Sequence, residues 1–433
     1  MIRNRSLLRG FAVFTFYLVL AADSVRYTLT WWGWSVIVIA VAAAAVVILV
    51  RLRGQWRFNR LPYPLIAFVA LTILSLAWSF YPLWTGVGII LNAITVAVGC
   101  AIAISLTGEE LLWTLGTALR IVLGLSLLFE LVVAVIVRHP VLPWWESFPA
   151  NQIHAAFYWS RDVLFTGKQI QGIMGNSNLL GFVALLGLIV FAIQLASGSV
   201  RRVFGIFWLV VAAACILLTR SATVTVALVA VAAVAAVLLL VRFQRTQTAR
   251  VVVYAVGAAV GLVAIAVAVV FRDSVFLLLG KSDSLTGRTG IWSEVIKLAG
   301  EKPVAGWGWV GYWDPFTKPF TYKQFNIGGV QYLQAHDAWL DIWFQLGIIG
   351  LVVFGALVIS TLVRTWLIAV DRTGVPYGHR GPRTAITLLP ILLLVALLAQ
   401  SLTESRLIIE YGMLLLTIIA VTSKRALTEP VQA

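Results

Sequence analysis

The sequence predicts an all-α integral membrane protein with about twelve transmembrane helices. Hydrophobic residues make up 61% of the 433 residues, charged residues only 11%, and the mean hydropathy is +0.98. A soluble domain has roughly 25% charged residues, so this composition excludes an ordinary soluble fold. The apolar residues also gather into long runs, and a helix needs about 20 of them to cross a bilayer. A chain of this length therefore has room for about a dozen spans.

Short connections separate most of the predicted spans. The spans cover residues 7–22, 32–50, 61–80, 83–106, 111–137, 175–196, 203–219, 222–241, 251–271, 337–363, 384–402 and 407–422. The first span follows Arg3, Arg5 and Arg9 and imitates a signal peptide. No small-x-small cleavage site follows it, and a second apolar run begins at once. We therefore expect an uncleaved first helix.

Basic residues lie mostly on alternate connections. With a cytoplasmic N-terminus, the inner connections hold the arginines and lysines near residues 3–9, 51–60, 201–202, 242–250, 364–383 and 424–425. The short outer connections hold only Arg26, Arg220 and Arg406. This asymmetry satisfies the positive-inside rule, so both termini are expected in the cytoplasm. The net charge of +15 is then explained by topology and anionic lipid contact rather than by nucleic-acid binding.

The same orientation places two long connections outside the cytoplasm, at residues 138–174 and 272–336. The first is interrupted by prolines and rich in Trp, Tyr and Phe, which favour the headgroup zone. The second contains an amphipathic segment from Thr286 to Leu298, which Pro303 and the glycines after it would end. No internal repeat or separate soluble domain is seen, so the sequence predicts one polytopic membrane domain over residues 1–433.

Three basic side chains stand out at the outer ends of the spans. Arg220 lies in a connection only a few residues long, where a base is disfavoured. Arg288 lies among glycines in the long outer loop, and His336 begins the tenth span. Imidazole titrates near neutrality, so His336 can accept a proton or, when charged, bind phosphate. Each also has an ordinary explanation as a snorkelling Arg, a solvated charge or a helix-end His.

For several other polar and aromatic residues, the sequence is compatible with two different roles. Asn176 and Asn178, at the outer start of the sixth span, could bind sugar or phosphate, or cap the helix. Trp307, in a glycine- and tryptophan-rich loop, could stack on a sugar face or anchor the loop among the headgroups. Three charged residues at the last outer turn could contact substrate or neutralise Arg220: Glu404, Arg406 and Glu410.

Metal-ligand spacing is absent from the sequence. No His/Glu/Asp grouping and no Asp-x-Asp occurs, so a divalent-metal enzyme of the soluble sugar-nucleotide type is not supported, and we expect neither metal nor other cofactor. Arg120 and Glu130 lie within the fifth span, where an ionisable residue is a functional hypothesis by default. Ten residues apart, they point in directions that differ by about 80° and are not obvious partners.

Four segments carry a resemblance when taken in order. They are GIMGNSNLLGFVALLG (172–187), LTRS (218–221), GRTGIW (287–292) with KPVAGWGW (302–309), and HDAWLDIWFQLGIIG (336–350). This set resembles the membrane O-antigen ligase and O-antigen polymerase superfamily. In that family the Arg is followed four positions later by Leu, and the His is followed by Asn, Ser or Gln. Here Trp292 and Asp337 stand at those two positions.

The resemblance implies a GT-C-like glycosyltransferase that takes a glycan from a polyprenyl diphosphate on the outer face of the cytoplasmic membrane. The acceptor would be a hydroxyl of a lipid or of another glycan, and attack would be inverting. It makes His336 and Arg288 catalytic, His336 as a base or as a diphosphate ligand. Forked, permanently charged arginines suit a leaving diphosphate without metal. The substrate-binding residues would be Arg220, Asn176, Asn178, Asp337 and Trp307.

Two alternative functions remain open at this point. One is a lipid-linked glycan polymerase of the same superfamily, which uses the same donor type and differs only in its acceptor. The other is a secondary transporter or permease, which would place its polar site near the bilayer midplane and often has inverted repeats. The enzyme hypothesis further predicts that Arg220, Arg288 and His336 line one outer-facing cavity, because a diphosphate can contact all three only at side-chain reach.

Overall fold

The computed structural model describes residues 4–54, 60–146, 153–271, 288–327, 329–370 and 382–428. Helices hold most of these residues. They are α1 (Arg5–Leu20), α2 (Ala22–Arg51), α3 (Tyr63–Leu74), α4 (Pro82–Ser105), α5 (Gly108–Val132), α6 (Ser177–Ala196), α7 (Arg202–Thr219), α8 (Ala222–Phe243), α9 (Gln247–Val270), α10 (Arg288–Glu301), α11 (Ala338–Val370), α12 (Leu389–Ser401) and α13 (Glu410–Thr428). A small antiparallel hairpin pairs β1 (Asn326–Ile327) with β2 (Val330–Gln331).

Eight helices in the described part of the chain are long and apolar enough to cross a membrane: α2, α4, α5, α6, α7, α8, α9 and α11. Shorter apolar helices lie at Tyr63–Trp78 and Ala385–Ser401. The protein is thus an almost entirely helical integral membrane protein, as the composition predicts. The count of about twelve spans stays a prediction.

Polar caps mark where several of the helices begin. The Thr107 hydroxyl accepts a hydrogen bond from the Glu110 amide at 3.3 Å, and the Glu110 carboxylate accepts one from the Thr107 amide at 2.9 Å, so α5 starts with a capping box. The Ser221 hydroxyl caps α8 by a single hydrogen bond, which it accepts from the Val224 amide. The first amides of a helix have no partner within it, so these side chains satisfy groups that lipid would leave unpaired.

Polar contacts also join the ends of different helices. Arg9 at the start of α1 donates to Glu110 at the start of α5, at 3.0 Å. Arg425 near the end of α13 donates to the Ala103 carbonyl near the end of α4, at 3.1 Å. We call this side the inner end and the opposite side the outer end, after the orientation that the basic residues predict. The inner end is therefore a layer in which arginines tie sequence-distant helices together.

The outer loop has a hydrophobic core of its own. Ile291, Val295 and Leu298 on one face of α10 pack against a buried group that includes Trp313 and Phe344. Phe344 belongs to α11, so this second core fixes α10 to the start of that helix. The first part of the loop, residues 272–287, lies outside the described residues, as does Thr286 of the predicted amphipathic segment. Residues 288–298 of that segment belong to α10.

Helix α11 is broken at Gly347, where φ is 65° and ψ is −163°. Two amides beyond the break and two carbonyls before it bond to the glycine- and tryptophan-rich loop: Ile348 N to Pro303 O, Ile349 N to Val304 O, Trp307 N to Phe344 O, and Gly308 N to Gln345 O, at 2.8–3.2 Å. Backbone groups freed inside a membrane need such partners. A Cβ at residue 347 would stand 2.1 Å from the Val304 carbonyl oxygen, so only glycine fits this approach.

Candidate active site

Glu404 joins two of the residues that the sequence singles out. Its Oε1 lies 2.8 Å from Nη2 of Arg288, and its Oε2 lies 2.8 Å from Nδ1 of His336. The Gln334 side-chain amide also donates to Oε2, at 3.2 Å. We call these four residues the Glu404 cluster. It brings together the start of α10, the residue two positions before α11, and the outer connection after α12.

The Glu404 side chain is only 6% exposed. Burial by itself raises the pKa of a carboxyl, but the charge and hydrogen bond of His336, followed by the charges of Arg288 and Arg406, outweigh it and lower the pKa of Glu404 to about 2. The carboxylate is therefore ionised at neutral pH. Because Nδ1 of His336 faces this carboxylate, Nε2 is the ring nitrogen left for a substrate.

Asp341 is a fully buried carboxylate that aligns the two halves of the cluster. It accepts a hydrogen bond from the Ala335 amide at 2.9 Å and another from the Ser405 hydroxyl. Ala335 precedes His336 and Ser405 follows Glu404, so one side chain holds the backbone on both sides of the pair. Asp341 was not among the site residues predicted from the sequence. Its position one turn inside an apolar span was the signal that could have identified it.

The backbone of His336 is held in the left-handed region, with φ of 54°. Such a conformation costs a non-glycine residue about 1–3 kcal/mol and persists where the surroundings enforce it. Ala335, the residue before it, is held at both of its backbone groups: its amide donates to Asp341, and its carbonyl accepts from the Trp292 indole at 2.9 Å. Trp292 stands where the resembled family has Leu, which cannot donate a hydrogen bond. This departure therefore adds a contact that fixes His336.

A cavity of about 880 Å³ lies beside His336. Its lining at the outer end is aromatic and charged, whereas its deeper part is apolar and comes from α1, α2, α4 and α13. The apolar residues include Leu18, Val41, Ile94, Val98 and Leu414. A cavity of this form suits an amphiphile whose polar head stays at the outer end while its tail extends between the helices.

The predicted trio does not share this cavity. Only His336 of the three lines it, and Arg288 reaches His336 through Glu404. Arg220 ends α7 with φ of 45°; its side chain is exposed, and its carbonyl accepts a hydrogen bond from Gln169 at 3.1 Å. Glu404 thus neutralises Arg288. The sequence had suggested Arg220 as a possible partner of Glu404 instead.

The two asparagines already have partners at the outer start of α6. Oδ1 of Asn176 accepts from the Asn178 amide at 2.9 Å and caps the helix, which is one of the two roles expected of it. Oδ1 of Asn178 accepts from the Ser221 hydroxyl at 2.7 Å and so ties α6 to the turn that carries Arg220. A substrate role for these residues stays a prediction.

Asp337 and Trp307 likewise have structural contacts. Oδ1 of Asp337 accepts from the Trp339 and Leu340 amides at 2.8 and 3.0 Å, so the acid that follows His336 caps the start of α11. The Trp307 indole donates to the Leu298 carbonyl at 2.8 Å, and its ring lies 4.6 Å from that of Phe80. Neither residue lines the cavity. Their predicted contact with substrate remains untested.

Glu130 also acts through backbone contacts. One of its carboxylate oxygens accepts from the Gln171 and Gly172 amides, at 2.9 and 2.7 Å, and the other accepts from the Ser160 hydroxyl at 2.9 Å. The buried acid of α5 therefore anchors the first outer connection instead of pairing with Arg120. Among the described residues, no group of three or more His, Cys, Asp and Glu side chains is arranged to hold a metal ion.

Comparison with known proteins relates part of the chain to polysaccharide enzymes. Residues 205–355 match a family model described as O-Antigen ligase. The exopolysaccharide production protein ExoQ of Rhizobium meliloti (strain 1021) is 27% identical over 202 residues, which cover 44% of this chain and 45% of ExoQ. The alignment thus spans less than half of either protein. The family match includes Arg288 and His336, whereas Glu404 lies beyond it.

Proposed function

We propose that this chain, whose residues 205–355 match the O-antigen ligase family model, is a membrane glycosyltransferase that moves a glycan from a polyprenyl diphosphate to an acceptor hydroxyl. The observation that carries the proposal is the Glu404 cluster. An imidazole held at Nδ1 by an ionised carboxylate lies at the wall of a cavity suited to an amphiphile. That pairing is the arrangement by which a carboxylate orients a catalytic histidine.

His336 is the general base in this scheme. The acceptor oxygen bonds to the anomeric carbon while the carbon–oxygen bond to the diphosphate breaks, and its electron pair leaves with the diphosphate. The acceptor proton passes to Nε2 of His336, and the resulting imidazolium is stabilised by Glu404. Attack opposite the leaving group inverts the anomeric centre.

Arg288 supplies fixed positive charge on the other side of Glu404. Its Nη2 holds the carboxylate, and the planar guanidinium keeps further N–H donors for a developing negative charge. The scheme therefore needs no metal. We assign donor or acceptor binding at the outer end to five further residues: Arg220, Asn176, Asn178, Asp337 and Trp307. The basic residues of the inner end support a location of this site on the outer face of the cytoplasmic membrane.

A polymerase is the second candidate. It uses the same donor but takes a hydroxyl of another lipid-linked glycan as acceptor. The name of the relative ExoQ refers to exopolysaccharide production, and this is what motivates the second candidate. The same base and the same leaving group serve both reactions, so the acceptor alone distinguishes them.

The experiment is transfer by the purified full chain in vesicles that contain a polyprenyl-diphosphate-linked glycan, followed by mass spectrometry of the products. We expect transfer that EDTA does not reduce, and a loss of about 10²–10⁴-fold for His336→Ala, because this is the contribution of a positioned base. Arg202→Ala is the matched control, since Arg202 is exposed at the inner end of α7. A His336→Ala protein with the control's rate would remove the base assignment.

Cells that lack the gene separate the two candidates. Accumulation of full-length polymer on polyprenyl diphosphate indicates a ligase, whereas accumulation of single repeats indicates a polymerase. Unchanged lipid-linked glycans would contradict both. Activity that EDTA abolishes and Mg²⁺ restores would contradict the metal-free scheme.

A further inference from the structure

Two arginines that the mechanism does not use line the cavity. Arg26 and Arg406 are the first and third bases of the short outer connections, where the positive-inside rule disfavours them. They lie more than 370 residues apart in sequence, on α2 and in the connection before α13, yet they meet at one carboxylate. The positive-inside rule disfavours both arginines at this location, and the fold nevertheless brings their two positive charges together. Both observations indicate an anionic ligand.

The shared carboxylate belongs to Glu410. Its Oε1 lies 3.7 Å from Nη1 of Arg26, and its Oε2 bonds to Nη1 of Arg406. Asp23 pairs with Arg26, and the Tyr312 hydroxyl accepts a hydrogen bond from Arg406. Asp23 and Glu410 therefore balance the charges of the two arginines, and Glu146 and Asp314 add two further carboxylates to the lining of the same cavity. Glu410 is the anion that contacts both guanidinium groups.

Arg406 keeps unused capacity for hydrogen bonding. The residue is only 8% exposed, and its Nε is buried without a hydrogen-bond partner among the residues that the structure describes. Buried donors of this kind are ordinarily satisfied, so an acceptor is expected at this position. The backbone of Arg406 packs closely against Gly412, where a Cβ would stand 2.0 Å from the Arg406 carbonyl oxygen.

The cavity continues from these arginines into apolar surroundings. Val41 and Val98 line the same cavity well inside α2 and α4, away from the outer ends where those helices begin. A ligand that fills both parts has an anionic head and a long apolar tail. Free inorganic anions would leave the apolar part unused, and a neutral lipid would leave the arginines unused.

We infer that Arg26 and Arg406 bind the phosphate oxygens of a prenyl diphosphate and that Glu410 holds their position while the cavity is empty. The identity of this ligand as the glycan donor rests on the proposed function. The incoming diphosphate displaces the Glu410 carboxylate from between the two arginines. Glu410 is the first residue of α13, so after displacement it still lies at a helix N-terminus, which stabilises a carboxylate.

Binding of farnesyl diphosphate to the purified full chain tests the inference. The protein is placed in phosphatidylcholine nanodiscs, and Kd is measured by calorimetry. We expect Arg406→Gln and Arg26→Gln to raise Kd by at least about tenfold, since each loses a charge-assisted contact. Glu410→Gln should lower Kd several-fold, because it removes the competing anion. The control Arg202→Gln should bind as the wild type does.

The sign of the Glu410→Gln effect is decisive, because a purely structural role predicts weaker binding. Weaker binding by Glu410→Gln, or unchanged binding by Arg26→Gln, would overturn the inference. Arg26→Gln and Arg406→Lys serve as the test pair where Arg406→Gln is not monodisperse. If phosphatidylglycerol in the nanodisc abolishes farnesyl diphosphate binding, the site takes phospholipid headgroups and the inference is wrong.

His336→Ala separates this inference from the proposed function. It should lose transfer while binding farnesyl diphosphate with the wild-type Kd. Arginine-dependent binding without any transfer by the wild type would contradict the proposed function but not the inferred binding site. Transfer at the wild-type rate by Arg26→Gln would contradict the inferred binding site but not the proposed function.

Discussion

His336 and Glu404 are hydrogen-bonded at 2.8 Å although 68 residues separate them in the chain. The bond fixes which imidazole nitrogen faces the cavity, because Nδ1 is occupied. It also links His336 to Arg288, since the same carboxylate receives both. Glu404 thus orients His336 and also neutralises Arg288. The two roles can be separated by experiment.

Glu404→Gln should reduce turnover by about 10²-fold or more, as does loss of the orienting carboxylate in a hydrolase triad. The amide keeps the size of the side chain but cannot stabilise an imidazolium. Glycan transfer by the purified variant, with donor at saturation, measures the loss. The double variant with His336→Ala should be no slower than His336→Ala alone, because residues of one unit are not additive. Additive losses would separate Glu404 from His336.

Acid should weaken the fold through Glu404. A carboxyl whose pKa is lowered to about 2 in the folded protein, from an ordinary 4.5, stabilises that fold fully above about pH 4.5. This contribution is lost as the pH falls from 4.5 toward 2. We expect the wild type to unfold at a higher temperature than Glu404→Gln at pH 7, and the gap to shrink below pH 4.5. An equal gap at pH 3 and pH 7 would contradict the charge of Glu404 in the fold.

Gly347→Ala should destabilise the protein strongly. The new Cβ meets the Val304 carbonyl, and the backbone conformation there is one that alanine avoids. Gly355→Ala in the same helix is the matched control, since a Cβ there has nothing within 4 Å. Thermal unfolding in detergent should show a lower transition for Gly347→Ala alone. Equal transitions would mean that the helix break at Gly347 does not bear on stability.

The sequence predicted those parts of the fold that depend on local pattern. Apolar runs indicated the helices, and the helix over residues 288–298 followed from its amphipathic spacing. The break at Gly347 was not predicted. Its cause is an exchange of backbone bonds with residues 303–308, and side-chain patterns do not report where a backbone carbonyl finds its partner.

The site was predicted in its residues more than in its geometry. His336 and Arg288 were singled out from the resemblance, and Glu404 was considered as a partner of Arg220. The pairing of Glu404 with Arg288 depends on where α10 docks on α11, which the second hydrophobic core determines. Arg26 was noted only for its place outside the positive-inside pattern. Contacts that join the first and last helices have no signal in one sequence.

Trp292→Phe should slow transfer several-fold while leaving the fold intact. Phenylalanine keeps an aromatic ring but loses the N–H that holds the Ala335 carbonyl, so the strained backbone of His336 is held at one end only. A lost hydrogen bond of this kind is worth about 1 kcal/mol, or several-fold in rate if it acts on the base. The rate should fall at saturating donor with little change in donor Kd, because Trp292 acts through His336. Trp113→Phe, at a half-exposed position on α5, is the control. If Trp292→Phe transfers at the control's rate, the hydrogen bond of Trp292 does not contribute to catalysis, and this residue serves packing only.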